Sequence, residues 1–249
     1  MIADVLSAVR LLTVLPLGRR EGPHAVRYFP LVGWVYAGLW LALAWGAARI
    51  GAVDGTPAVL SGVLLVAAAG GLSGFLHWDG LADCADAIGV RGDAAGRLEV
   101  MHSSTIGAFG VAAIVFAALA QVASVAVILE SGSWWGLAAA PVLGRMGATL
   151  ALGLREPARR DGLGAHYAER LSVAGLMAAA IPVVPLLGWR PDSSVVLTTA
   201  TGLGLLVAFL APGPFVRRIG GMTGDVAGAT ILLTETVVLV LAAFVGGPL

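Results

Sequence analysis

The sequence predicts an all-α fold: a polytopic integral membrane helical bundle of about seven transmembrane helices plus an N-terminal amphipathic helix, in one domain over residues 1–249. Three observations predict it. The chain is 58% hydrophobic and only 12% charged, with a mean hydropathy of +0.91, whereas soluble domains carry about 25% charged residues. Apolar runs of roughly 20 residues, the length that crosses a bilayer as a helix, recur along it. Most of its charges lie in the connections between those runs. Net charge is zero, so no basic surface invites nucleic acid. The single Cys84 excludes an intrachain disulfide and reads as a packing residue.

The opening stretch "MIADVLSAVRLLTVLPL" has no basic cluster and is interrupted by Asp4 and Arg10, unlike a secretory signal. Ile2, Val5, Leu6, Val9 and Leu12 recur at helical spacing on one face, which predicts an interfacial helix ending near Pro16. Seven apolar segments follow, at roughly 31–53, 57–76, 106–129, 134–153, 171–189, 194–211 and 226–248. Arg19, Arg20 and Arg27 precede the first. Arg91 and Arg97, then Arg155, Arg159, Arg160 and Arg170, then Arg217 and Arg218 mark every second connection. The alternate connections are short and carry only Arg190 nearby. The excess of Arg places its loops in the cytoplasm, the N-terminus inside and the C-terminus outside. All four histidines fall on that cytoplasmic side.

Residues 77–89, "HWDGLADCADAIG", hold three of only 15 acidic residues. On a helix Asp83 lies about 40° from Asp79, and Asp86 about 20° to the other side. Like charges on one face need compensation. Mg²⁺, a hard ion often held by one or two carboxylates and substrate phosphates, supplies it. Phosphoryl transfer is the chemistry such a cluster serves best.

Other polar islands sit near the same membrane face. In "RLEVMHSSTIGAFG", Asp93 just upstream is placed to cap a helix. Glu99 serves either first-turn electrostatics or metal and base duty, and His102 is a candidate phosphate contact. Arg145 lies inside the fourth apolar segment and needs a carboxylate or a polar cavity, so it either pairs with the aspartates or clamps a phosphate. In "REPARRDGLGAHYAER", Gly162, Gly164 and His166 suit backbone approach to a ligand. "GGMTGDVAGATILLTE" places Thr223 and Gly224 at a helix N-terminus, an anion site. There Asp225 is either the helix cap or a metal ligand, and Glu235, deep in the last span, needs a polar partner.

Five of these stretches, in order, resemble the cobalamin synthase family of adenosylcobinamide-GDP ribazoletransferases. "RLLTVLPLGR" with "VRYFPLVGWVYAG" resembles the family's N-terminal pattern. "GGLSGFLHWDGLADCADAIG" is similar to its most specific motif, and "LEVMHSSTIGAFG", "PARRDGLGAHYAE" and "GGMTGDVAGA" follow at matching spacing. Where the family often reads "EIMKDSRIGTFG", this chain has His102, Ser103 and Thr105 in place of three charged residues, while Glu99, Ser104 and Gly107 match.

The resemblance implies an integral, Mg²⁺-dependent enzyme of the bacterial cytoplasmic (inner) membrane, with its active site facing the cytoplasm. It would join α-ribazole, or its 5′-phosphate, to adenosylcobinamide-GDP and release GMP. Its partners would be those two small molecules and membrane lipid, with a homo-oligomer left open. On this reading Asp79, Asp83, Asp86 and Asp225 hold the metal, and Asp86 is the general base, with Asp83 and Glu99 also catalytic. His77, Arg145, His102, Ser104, Arg159, Gly162, Gly164, His166, Thr223 and Gly224 contact substrate. Two other readings share parts of the pattern. A CDP-alcohol-phosphotransferase-like enzyme would have an Arg where Asp83 stands. A cation or substrate transporter would commonly show internal repeats.

Overall fold

Runs of Ala, Leu, Val and Gly in hydrocarbon must satisfy their backbone N–H and C=O groups internally, and only a helix does so within one segment. The computed structural model describes residues 1–17, 22–103, 105–158, 171–188 and 194–246. Its helices are α1 (Ile2–Leu12), α2 (Phe29–Arg49), α3 (Gly55–Leu72), α4 (Leu76–Gly89), α5 (Ala94–Val100), α6 (Ala108–Ser131), α7 (Trp135–Leu154), α8 (Val173–Ala180), α9 (Val184–Leu187), α10 (Ser194–Leu210), α11 (Gly213–Ile219) and α12 (Gly224–Gly246). Among the described residues six stretches are long and apolar enough to cross a membrane: Ala25–Arg49, Gly55–Leu72, Ala108–Ser131, Trp135–Leu154, Thr198–Ile219 and Gly224–Val245.

The segment expected at 171–189 is not one continuous helix. Pro182 and Pro185 remove two N–H donors, so α8 passes through a 3₁₀ turn, Ile181–Val183, into the single-turn α9. The segment still runs the length of α7. Leu171 N–H donates to Gly153 O (3.2 Å) near the end of α7. The Trp135 indole N–H, at its start, donates to Leu186 O (3.2 Å).

The centre of the bundle is α7, buried along nearly its whole length and packed against α2, α10 and α12. Its sequence, "WGLAAAPVLGRMGATLALGL", is small-residue-rich, which lets neighbouring helices come close without a hydrophobic drive between them. At the crossing with α2, a Cβ on Gly33 would lie 2.6 Å from Val142 Cα, so only glycine fits.

The amphipathic helix α1 forms as expected, but the face it buries is rotated from the apolar one. Val9 and Leu12 of the expected face are buried, together with Asp4, Ser7 and Ala8, whereas Ile2 is 74% exposed. Asp4 explains the choice: it accepts the His24 N–H at 3.1 Å and pairs with the N-terminal ammonium at 2.8 Å. Polar bonds hold the helix to the bundle and leave the Ile2 side turned outward.

Candidate active site

Helices α4 and α12 bring the acidic residues together. They cross antiparallel, with Gly80 set on the backbone of Asp225; a Cβ there would lie 2.6 Å from the Asp225 carbonyl oxygen. One turn further along each helix, Gly228 lies beside His77. Asp79 is exposed, and Asp83, Asp86 and Asp225 are half-buried. Burial first, then the charges of Asp79, Asp225 and Asp86, push the Asp83 carboxyl up to about 6. Four carboxylates from two helices thus act on one another.

The donor set is hard oxygen, which suits Mg²⁺. Among the described residues no three His, Cys, Asp or Glu side chains converge as a ready-made metal cage. Mg²⁺ typically keeps waters and substrate phosphates and takes only one or two carboxylates, so the residues present fit such an ion bound together with a diphosphate.

The carboxylate of Asp86 has a structural duty. Its Oδ2 accepts the Gly107 N–H at 2.6 Å and its Oδ1 accepts the Gly110 N–H at 2.8 Å. Gly107 is the N-cap of α6 and has no side chain to cap with, so Asp86 caps that helix from α4. The expectation that Asp86 is the general base meets a carboxylate with both oxygens engaged. Asp225, by contrast, is not the cap of α12: Thr223 Oγ1 accepts the Val226 N–H at 3.1 Å and does that work. The Asp225 carboxylate is hydrogen-bonded to its own backbone N–H and to Thr223, and lies within electrostatic reach of Asp79 and His102. Gly224 beside it faces open space. Asp93 caps α5 as expected, accepting the Gly96 N–H at 3.0 Å.

Arg145 does not join the aspartates or reach for a phosphate. It is 1% exposed, ion-paired with Glu235 and stacked 3.7 Å over the Tyr36 ring. The two intramembrane charges predicted to need partners are partners of each other. Tyr36 in turn donates to Leu12 O. Gln121, also mid-membrane, donates to Thr236 Oγ1 at 2.9 Å. The charges acting on Asp83 do not include that of Glu99, which is exposed on α5. Ser104, Arg159, Gly162, Gly164 and His166 lie outside the described residues.

Two further features adjoin the site. Cys84 is buried, and burial with the charges of Asp225 and Asp83 raises its thiol well above the usual range, so it stays a protonated packing group. His77 is buried at 3% exposure, and neither ring nitrogen has a hydrogen-bond partner. Burial lowers its pKa well below the ordinary value. His77 is one of the residues lining a cavity of about 130 Å³ whose walls include Leu12, Phe29, Ala148, Leu152 and Ile231, with Gly224 and Asp225 also on its lining. Its apolar residues carry no signal in the sequence. The Gly107–Gly110 pair that holds Asp86 is visible there only as two glycines opening a span.

The profile of the cobalamin-5-phosphate synthase family matches residues 4–243. The chain belongs to the cobalamin-5-phosphate synthase family. Its relatives include an adenosylcobinamide-GDP ribazoletransferase of Pseudomonas paraeruginosa, 37% identical, with 97% of this chain and 98% of the relative covered. Those of Stutzerimonas stutzeri (38% identical; 95% and 96% covered) and Azorhizobium caulinodans (35%; 94% and 93%) bear the same name. No solved structure matches the chain. Within this family member, the motif at 77–89 forms most of α4 and carries three of the four clustered carboxylates.

Proposed function

We propose that this protein is an adenosylcobinamide-GDP ribazoletransferase of the bacterial inner membrane, working late in cobalamin assembly with its site facing the cytoplasm. The observation that carries the reading is the convergence of Asp79, Asp83, Asp86 and Asp225 from α4 and α12, with the Asp83 carboxyl pushed up to about 6. Family membership and the printed names of the relatives supply the substrates.

In this mechanism Asp79 and Asp225, flanking Asp83, would hold Mg²⁺, which when bound would supply neutralisation of phosphate charge. The 5′-hydroxyl of α-ribazole attacks the phosphorus on the cobinamide arm, the bond to the GMP oxygen breaks, and GMP leaves. The hydroxyl proton passes to Asp83. A carboxylate within hydrogen-bond reach of the attacking hydroxyl can take its proton in the transition state. Asp86 keeps α6 and α4 in register, which fixes where Asp83 stands. His102, near Asp225, and Gly224, facing open space, are placed to meet phosphate oxygens.

The test is GMP release by purified protein in detergent, given adenosylcobinamide-GDP, α-ribazole and Mg²⁺. Wild type should release GMP and form a cobalamin product, EDTA should stop it, and Asp83→Asn should lower turnover by about 10²–10⁴-fold. A protein that folds but releases no nucleotide would overturn the reading and return the acidic site to a transporter.

A further inference from the structure

We infer that the stretch from Arg218 to Asp225 is the positioning element of the acidic site: a clasp that sets the spacing between the carboxylates of α4 and Asp225, with Gly221 and Arg218 as its positioning residues. This rests on the ribazoletransferase reading and deepens it, since neither residue touches substrate in the mechanism above. Asp79 and Asp83 belong to α4 and Asp225 to α12, so their separation depends on where two different helices are held. Contacts at three points of one short stretch hold them. The first is the end of α4. The last carbonyls of a helix have no intrahelical donor, and a cation beside them is favourable. Arg218, in the last turn of α11, donates from Nη1 to Ile88 O at 3.3 Å. Arg97 of α5 supports it: Nη2 donates to Val90 O and Nη1 to Arg218 O, each at 3.4 Å.

The second point is the chain between α11 and α12. α11 ends on Gly220 at a φ of 92°, the left-handed turn that glycine favours. Gly221 then passes so close to the segment after α7 that a Cβ would lie 2.5 Å from both the N and the Cα of Ala158. Met222 is buried and forms a parallel β-bridge with Pro157. The Met222 N–H donates to Glu156 O, and Met222 O accepts the Ala158 N–H, both at 2.9 Å. The third point is Asp225, whose backbone rests on Gly80. Gly80 and Ile88 are about 12 Å apart along α4, with Asp83 and Asp86 between them. The same stretch therefore holds the acidic part of α4 at both ends, and the bridge ties it to the segment that follows the central helix α7. Arg218 is exposed, where a cation at a helix end adds little to global stability. Its work is placement, since reacting groups displaced by about 1 Å can lose about 10²-fold in rate.

The experiment uses the full chain in detergent and three readouts. They are steady-state GMP release, amide hydrogen exchange of the metal-free protein, and Mn²⁺ affinity by electron paramagnetic resonance with adenosylcobinamide-GDP present and α-ribazole withheld. Gly221→Ala sets a methyl against backbone atoms, so exchange should quicken together at the Ala158 and Met222 amides. Its Mn²⁺ affinity should fall about tenfold and its kcat about 10²-fold, with the KM for α-ribazole unchanged. Arg218→Met should quicken exchange at the end of α4 and lower kcat about tenfold at an unchanged melting temperature. Arg218→Lys, which keeps a cation at that helix end, should recover part of the rate. A folded Gly221→Ala protein with wild-type kcat and Mn²⁺ affinity overturns the clasp, whatever its exchange. Should Gly221→Ala fail to fold, Arg218→Met combined with Arg97→Met carries the test, and a folded double variant with wild-type kcat and Mn²⁺ affinity overturns the clasp equally. Wild-type protein that binds Mn²⁺ more tightly than the variants yet releases no GMP overturns the transferase reading and leaves the clasp standing.

Discussion

Asp83 carries a pKa of about 6, against an ordinary 3.8, because burial and three neighbouring carboxylates disfavour its charge. The raised value has a sign for stability. The folded protein holds a proton that the unfolded chain has already released, so stability is fully present below pH 3.8 and is lost as pH rises through 6. Metal-free protein in EDTA should therefore melt at lower temperature at pH 7 than at pH 4.5, as read by scanning fluorimetry. Asp83→Asn should flatten that slope and melt higher than wild type at pH 7 while losing turnover. A destabilised Asp83→Asn would contradict the charge crowding. Asp86 predicts the opposite. Its carboxylate caps α6 through Gly107 and Gly110, so Asp86→Ala should cost about 0.5–2 kcal/mol and lower the melting temperature at every pH above 5.

Two helix pairs decide whether these residues meet. The α4–α12 crossing depends on Gly80 lying against Asp225. Gly80→Ala should force the helices apart and cut turnover by more than tenfold with little change in helical circular dichroism. The α7–α12 pair is fastened by Arg145 and Glu235. Removing one partner leaves a charge buried alone, at a cost of about 3–5 kcal/mol, whereas replacing both with apolar residues is close to neutral. Arg145→Met should therefore lose folded protein in detergent, and Arg145→Met with Glu235→Leu should regain both folded protein and GMP release. The need of each charge for a partner was legible in the sequence, since a lone ion in an apolar run demands one. That the partners were each other was not, because 90 residues separate them and small-residue helix faces do not announce their neighbours. The capping role of Asp86 was hidden for a related reason: three aspartates in phase look alike until the backbone N–H groups of a different helix bond to one of them.

At the scale of the molecule, hydropathy and Arg placement were enough to give the spans, because the bilayer makes length and charge asymmetry dominant. They overstated one segment, where Pro182 and Pro185 divide the path into α8 and α9. That path still crosses from one end of α7 to the other. If the α8–α9 path completes a seventh crossing beside the six long apolar helices, the termini lie on opposite sides, and a reporter fused after Leu249 should report the periplasm and one before Met1 the cytoplasm. Like signals from both would remove a crossing. The sequence was silent on the cavity, whose walls are ordinary Leu, Ala, Phe and Ile.

The Arg145–Glu235 ion pair also bears on the order in which the chain is built into the membrane. Arg at the middle of a span opposes insertion by about 2.5–3.5 kcal/mol, and its counter-charge lies in α12, which is synthesised well after α7. Until α12 arrives, α7 must wait with an unneutralised guanidinium, held by the Tyr36 ring of α2 and the Pro141 carbonyl. The central helix of the finished bundle is thus among the last to be secured, and a chain truncated before α12 should be cleared by membrane quality control rather than accumulate as a partial bundle.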